Sequence, residues 1–397
     1  MTAAPRCYLS ALGVINALGS GRAEVCRGLL AGDSSGMVLE PGWLQEGEAR
    51  VGRVRGGLPE IPPAFARYRC RNNQLLLAAL AQIRSELNVA IKRYGRTRIG
   101  VVLGGSTSGI DEGEAAMRTL RKGEPPPPGF DYAQQEIGMP AVFLARYLDL
   151  PGPAFTVSTA CTSSAKAFAS ARNLLRLGIC DVVIVGGVDS LCKLTVNGFT
   201  ALELTTATLC NPMSRNRRGI NIGEGAALFL LTREPAAVEL LGIGESSDAY
   251  HISAPSPDGL GAEAAMRAAL ADAGITAEAV AYVNLHATAT LKNDEMESRA
   301  LARTLPAGVP CSGTKSLTGH ALGAAGAIEL AFCWLALVDG HGHLPPHVWD
   351  GEADSDLPAL TLVTAGQRFA RERERICMSN SFAFGGSNVS VLVGDSR

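Results

Sequence analysis

Short, nearly uninterrupted apolar runs alternate with longer Ala-rich stretches along most of the chain. Residues 98–103 read as a strand with both faces covered, because its apolar positions show no polar alternation. Residues 154–158, 181–185 and 226–231 repeat that pattern, and residues 162–177, helical in length, fill the gap between the second and third. Strand, helix, strand in this order predicts a mostly parallel sheet with helices on its faces. After about residue 240 the pattern begins again. A helix is expected over 263–273, closed by Gly274, then a strand over 280–285 and a helix over 294–303. A long apolar stretch at 321–338, a strand near Leu360 and strands at 376–379 and 389–393 complete the series. The expectation is an α/β protein of two similar halves, 1–241 and 242–397, sharing one interface because no Pro/Ser linker separates them.

Composition narrows the function classes. The net charge of −2 gives no basic field, which excludes a nucleic-acid binder as the default. With 47% hydrophobic and only 19% charged residues the chain builds a large core, which excludes global disorder. Ten scattered cysteines with no C-x-x-C pair fit reduced thiols and a cytoplasmic location. The N-terminal stretch has an early Arg and is interrupted by Gly and Asn, so it does not read as a signal peptide. Residues 321–338 approach membrane-spanning length with one charge, Glu329, but their Ala content and helically spaced Gly323 and Gly326 predict a buried helix. The proline run at 124–129 and the acidic stretch at 350–356 read as a rigid surface loop and a solvated loop.

Candidate chemistry sits at element ends. Cys161, in Ser-Thr-Ala-Cys-Thr-Ser-Ser, falls where a strand gives way to a helix. A helix N-terminus favours a thiolate and offers N–H groups to an oxyanion. The other nine cysteines read as small core residues. Six histidines occur; His341, His343 and His347 lie in a Gly/Pro-rich stretch that reads as a surface loop rather than a metal tract, and His251 has no partner signal. His286 ends the strand at 280–285, and His320 directly precedes the apolar stretch. One lone His at such a place is more often structural, but a Cys and two His all at junctions form a constellation.

On these residues the chain resembles the β-ketoacyl-acyl-carrier-protein synthases of the elongating Cys–His–His type. The motifs are Thr159-Ala-Cys-Thr-Ser163, His286-Ala-Thr-Ala-Thr290, Lys315-Ser-Leu-Thr-Gly-His320 and Asn380-Ser-Phe-Ala-Phe-Gly-Gly-Ser-Asn388, in that order over nearly the whole chain. The resemblance implies the thiolase fold, two α/β halves stacked α-β-α-β-α. It also implies decarboxylative condensation of an acyl chain, carried on Cys161, with malonyl-acyl-carrier protein. Cys161, His286, His320 and Lys315 are the implied catalytic set, with Glu329 supporting. Thr288, Thr290, Phe199, Phe384, Gly385 and Gly386 are expected to meet the substrate, Phe384 as a gate between flexible glycines. Substrates would arrive on the phosphopantetheine arm of an acyl carrier protein, with no permanently bound cofactor and no metal. Arg67, Arg69, Arg71 and Arg215 are expected to dock that carrier, and Arg217 is equally readable as a core pair. The expected assembly is a homodimer, or a heterodimer with a paralogous synthase or chain-length subunit.

Departures from the family pattern bear on substrate choice. Ala287 and Ala289 replace Gly and a small residue, Leu291-Lys-Asn-Asp294 replaces P-x-G-D, and Ala383 replaces Gly. Ser214 and Arg218 stand where two Asp are usual. These changes point to a specialised pathway, and residues 286–297 resemble synthases of aryl-polyene pathways. Four alternatives stand against this reading, one of them a pure binding module, which would fail to take up an acyl group. A non-catalytic chain-length partner would lack the nucleophile, and a degradative thiolase would need a second reactive Cys in a C-x-G motif, which Cys377 does not provide. A chalcone-type synthase would carry Cys–His–Asn, against the Thr-Gly-His320 context.

Overall fold

The computed structural model describes residues 5–370 and 374–396. Ten strands carry one topology twice. The first set is β1 (Cys7–Asn16), β2 (Ile99–Gly104), β3 (Ala154–Val157), β4 (Val182–Asp189) and β5 (Gly225–Thr232). The second is β6 (Val238–Ser247), β7 (Tyr282–Leu285), β8 (Pro310–Gly313), β9 (Ile376–Phe382) and β10 (Ser387–Asp395). The spatial orders are β1-β5-β4-β2-β3 and β6-β10-β9-β7-β8, so each set places its strands first, fifth, fourth, second, third. β1 meets β6 at only two residue pairs, Cys7 with Leu240 and Tyr8 with Glu239, and this joins the two sets edge to edge. The expected division after residue 241 falls inside β6.

The sheet is mixed rather than mostly parallel. In each set the outer two pairings, β2–β3 with β4–β2 and β7–β8 with β9–β7, are parallel, while the pairings through β5 and β10 are antiparallel. Apolar runs report burial on both faces and carry no information on direction. β1 was visible only as an interrupted N-terminal stretch, although Leu9, Leu12 and Val14 lie fully inside.

Six helices complete the layers: α1 (Arg71–Ala81), α2 (Met139–Leu148), α3 (Ser163–Arg176), α4 (Leu260–Ala273), α5 (Leu291–Thr304) and α6 (Ala325–Val338). α1 and α2 cover the outer face of the first set, and α4, with α5 packed on it, covers the second. α3 and α6 pack on each other between the two sheets, which gives the α-β-α-β-α stack. α6 is apolar all round because every residue from Ala325 to Leu337 is buried, as a central helix requires. It has 14 residues, and no helix among the described residues is long and apolar enough to cross a membrane. Close packing needs glycine: a Cβ on Gly104 would lie 2.2 Å from the Ser164 nitrogen, at the head of α3. Both middle-layer helices therefore begin where strands end, and the site lies at those ends.

Candidate active site

Cys161 sits on a turn between β3 and α3. α3 begins at Ser163 rather than directly after the cysteine, and Ala160 holds a φ of 54°, a conformation disfavoured for a residue with a Cβ. Side-chain hydroxyls hold this turn. Ser163 Oγ donates to the Ala160 carbonyl at 2.5 Å and accepts from the Thr159 N–H at 2.9 Å, and Thr162 Oγ1 donates to the Thr159 carbonyl at 2.7 Å. Thr162 Oγ1 also reaches Ser387 Oγ at 3.0 Å, and Ser164 Oγ accepts from the Ala327 N–H at 2.9 Å. The elbow is thus tied to the C-terminal loop and to α6.

His320 Nε2 lies 3.0 Å from Cys161 Sγ, and the His286 ring stands edge-on to His320 with centroids 5.2 Å apart. All three residues are buried. Burial pushes the thiol up to about 12, against the opposing pull of the Lys315 charge and the Phe384 N–H. Burial, then the Lys315 charge, holds both imidazoles well below the usual histidine range. Burial thus favours a thiol beside a neutral imidazole and opposes the pull of the helix seat toward a thiolate. The buried Lys315 ammonium lies 3.3 Å from His286 Nδ1 and donates to the His286 carbonyl and to Glu329. An ammonium has no acceptor, so His286 Nδ1 accepts and Nε2 carries the proton. Burial pushes Glu329 up to about 7, with Lys315 opposing. Sγ and one nitrogen from each histidine fall within 4.8 Å of one another, a metal-compatible spacing, but the adjacent ammonium opposes a dication there.

Two buried carboxylates near the start of α5 shape the His286 segment. Glu297 accepts from the N–H groups of His286 and Ala287, each at 2.7 Å, and Asp294 accepts from Ala289 at 3.2 Å and Met213 at 2.8 Å. Ala287 and Ala289 have φ of 38° and 64°, so the two departures from the family motif occupy backbone that suits glycine. At the other side Asp189, at the end of β4, accepts from Ser106 and Thr107 N–H at 2.7 Å and from Ala324 N–H at 3.1 Å. It fastens the turn after β2 to the segment that follows His320. None of Glu297, Asp294 and Asp189 was singled out from the sequence for this part.

A cavity of about 470 Å³ ends at Cys161, His286 and His320. Thr288, Thr290, Phe199 and Phe384 line it, and the two threonine hydroxyls bond each other at 2.9 Å. The Phe384 and Phe199 rings lie 5.4 Å apart. Gly385 and Gly386 have φ of 82° and 77°. Their loop is cross-tied to residues 248–252: Gly385 N–H donates to the Ile252 carbonyl at 2.8 Å, and Asn388 Nδ2 donates to Asp248 at 2.6 Å.

The expected docking arginines fare differently. Arg71 turns inward, its guanidinium donating to buried Glu224 at 2.8 and 2.6 Å, so this residue is a structural ion pair and not a docking contact. Buried carboxylates demand such partners. Arg67 is exposed, 3.5 Å from Asp131, and Arg69 is exposed. Arg215 is exposed and pairs with Glu352 at 2.9 Å. None of the four lines the cavity; the cations that do so are Arg218 and Lys292, with buried Arg217, which pairs with Asp354. The acidic loop 350–356 is thus a clamp on residues 214–217 rather than free solvated chain. His347 is also not a surface residue: it is buried, accepts from Gly313 N–H at 2.9 Å and donates to the Pro212 carbonyl at 3.0 Å.

The description "Beta-ketoacyl synthase, N-terminal domain" matches residues 49–237, and "Beta-ketoacyl synthase, C-terminal domain" matches residues 237–348. The chain belongs to the β-ketoacyl synthase family. The nodulation protein E of Rhizobium meliloti (strain 1021) is 34% identical over 377 residues, 87% of this chain and 92% of that one. The 3-oxoacyl-[acyl-carrier-protein] synthase 2 of the same organism is 36% identical over 316 residues, 74% of this chain and 73% of that one. Among solved structures, the ketosynthase ApeO in complex with its chain length factor ApeC, from Xenorhabdus doucetiae, superposes with a TM-score of 0.94 at 46% identity, covering 99% of this chain and 98% of that one. This β-ketoacyl synthase has the thiolase fold and is an acyl-transferring condensing enzyme.

Proposed function

We propose that Cys161 takes an acyl group from a carrier protein and that His286 and His320 then drive its condensation with a malonyl group. The observation that carries this reading is the Cys161–His320 contact beside a second, Lys315-held imidazole. In the first half-reaction Sγ attacks the acyl thioester while its proton passes to His320 Nε2, and the carrier thiol leaves with that proton. The N–H groups of Cys161 and Phe384 hold the developing oxyanion. In the second, the malonyl carboxylate leaves as CO₂ and its electron pair enters the thioester as an enolate. The Nε2–H of neutral His286 stabilises the enolate oxygen, and neutral His320 joins it once its proton has shifted from Nδ1 to Nε2. The enolate carbon attacks the Cys161 thioester, and collapse expels the Cys161 thiolate, which takes up one proton from solvent, so each condensation consumes a proton as it releases CO₂. Lys315 and Glu329 position His286, Thr288 and Thr290 hydrogen-bond the pantetheine arm, and Phe384 gates the thiol.

The pathway we infer is a specialised one of aryl-polyene type, with a rigid unsaturated chain. The motif departures and the likeness to ApeO support it. The same likeness supports a heterodimer with a chain-length paralogue, and β3, the open edge of its sheet with Phe155 exposed, is suited to meet a partner. The pantetheine arm is a substrate group, so no resident cofactor is assigned. The ten free thiols support a cytoplasmic location. The chain, with its partner subunit, is tested on matched carriers bearing saturated, polyenoyl or aryl-polyenoyl groups. Faster condensation of the unsaturated carriers is expected; equal or faster rates with the saturated ones would overturn the pathway.

A further inference from the structure

The carrier's arm ends in a phosphodiester, and the structure holds two uncommitted cations where that arm must enter. The segment after β7 climbs from the floor of the cavity to its mouth. His286 and Thr288 are buried, Thr290 is half-buried, and Leu291 and Lys292 are exposed, while all of them line the cavity. Lys292 has no hydrogen-bond or ionic partner among the described residues. Opposite in sequence lies the arginine cluster 215–218. The acidic loop consumes two of its cations, Arg215 through Glu352 and Arg217 through Asp354. Arg218 is passed over: among the described residues its guanidinium donates only to the Arg217 carbonyl at 3.0 Å and has no carboxylate partner. Two carboxylates also line the cavity. Asp248 is engaged by Asn388 at 2.6 Å and by the Ser256 N–H at 3.0 Å, and Glu203 is exposed and makes no ion pair among the described residues. Arg218 stands where the family usually has an Asp, and Lys292 occupies the variable position of the Leu291-Lys-Asn-Asp294 segment.

We propose that Arg218 and Lys292 form a phosphate-binding rim that receives the phosphodiester of the carrier's pantetheine arm. The proposal rests on the condensing role above and adds the recognition of the carrier at the mouth of that site. A phosphate fixed to the arm reaches a constant depth when its thioester sits at Cys161, so two cations can fix the depth of entry without contact to the carrier's own surface. A guanidinium offers a planar fork of donors to phosphate oxygens and an ammonium a point charge, and together they prefer a phosphorylated arm over a plain one.

The test is direct binding, which needs no turnover. Calorimetry compares 4′-phosphopantetheine with pantetheine on the full chain and its partner subunit. The expected result is about tenfold tighter binding of the phosphorylated arm. That preference falls several-fold in Arg218→Ala and in Lys292→Ala, disappears in the double variant, returns in part with Lys292→Arg, and shrinks with added salt. Equal affinity for both ligands in the wild type, or an unchanged preference in the double variant, overturns it. So does a loss seen only with the intact carrier, because the anion would then be an acidic side chain of the carrier. If the condensing role itself is wrong, no thioester acylates Cys161, a result read separately by mass.

Discussion

Replacing Glu297 by Gln should remove a loss of stability between pH 5 and pH 8 and give a poorer catalyst at every pH. The carboxylate accepts two backbone N–H groups of the His286 segment at 2.7 Å, yet burial, against those two bonds, pushes its carboxyl up to about 7. Nearby Asp294 adds to the rise and Lys315 opposes it. A folded pKa above the unfolded value means that the folded state holds the proton more tightly. Stability is then present below the ordinary carboxyl value of 4.5 and is lost as pH rises through about 7. The shift corresponds to about 3 kcal/mol. Glutamine is uncharged like a protonated glutamate and keeps one carbonyl acceptor, with two N–H donors in place of one O–H, so it stands in for the proton-bound state without titrating. Chemical denaturation should find the variant about 1–3 kcal/mol less stable than wild type near pH 5, where one N–H loses its acceptor, and should find the difference moved by about 3 kcal/mol in the variant's favour at pH 8. The amide leaves either the His286 or the Ala287 N–H without its acceptor, and a displacement of this kind can cost ~100-fold in rate. Release of CO₂ from malonyl-carrier should fall, while acylation of Cys161 is retained. A difference between variant and wild type that stays the same from pH 5 to pH 8 would refute the claim that desolvation outweighs the two hydrogen bonds. Equal loss of both half-reactions would refute the positioning role.

Further outcomes follow from the same geometry. His286→Ala should keep Cys161 acylation and lower malonyl decarboxylation about 10²–10³-fold, whereas His320→Ala should slow both, because its Nε2 touches Sγ; intact mass and CO₂ release separate the two. Phe384→Ala should change the order in which carriers are accepted and the turnover rate, and unchanged values of both would remove the gate. Burial holds His347 down to about 4, so its contribution to stability is complete above the usual 6.5 and is lost as pH falls toward 4. His347→Phe should therefore cost about 2–3 kcal/mol near pH 7 by stranding the Gly313 N–H and the Pro212 carbonyl. It should also remove up to about 1.4 kcal/mol per pH unit of slope between pH 4 and 6.5, and an unaltered slope in denaturation curves would contradict this assignment.

Much of this architecture was readable from residue order. Fully apolar runs marked β2, β4 and β5 to within a residue or a few, and α6 announced itself by an apolar surface that only a core or a membrane accepts. Cys161, His286 and His320 were legible because each sits at an element end within a motif, and the fold brings those ends together. Strand direction was hidden, because both faces of every sheet are covered and the runs look alike either way. β1 was hidden because Gly13 and Asn16 interrupt it near the N-terminus. Arg71 and Arg215 look identical in a charge cluster, yet buried Glu224, 153 residues away, claims the first. Glu297 and Asp189 were missed since a carboxylate accepting backbone N–H groups leaves no spacing signature. A lone Asp closing an apolar strand, as Asp189 closes β4, was the one available hint.

The most direct test of the condensing mechanism is the intact mass of the protein after incubation with acyl-loaded carrier and then with malonyl-carrier. The account predicts that wild type gains the mass of one acyl group, loses it when malonyl-carrier is added, and leaves a β-ketoacyl carrier as product. Cys161→Ala should gain no mass. Acyl mass on the Cys161→Ala variant, or a wild-type adduct that persists in the presence of malonyl-carrier, would contradict it.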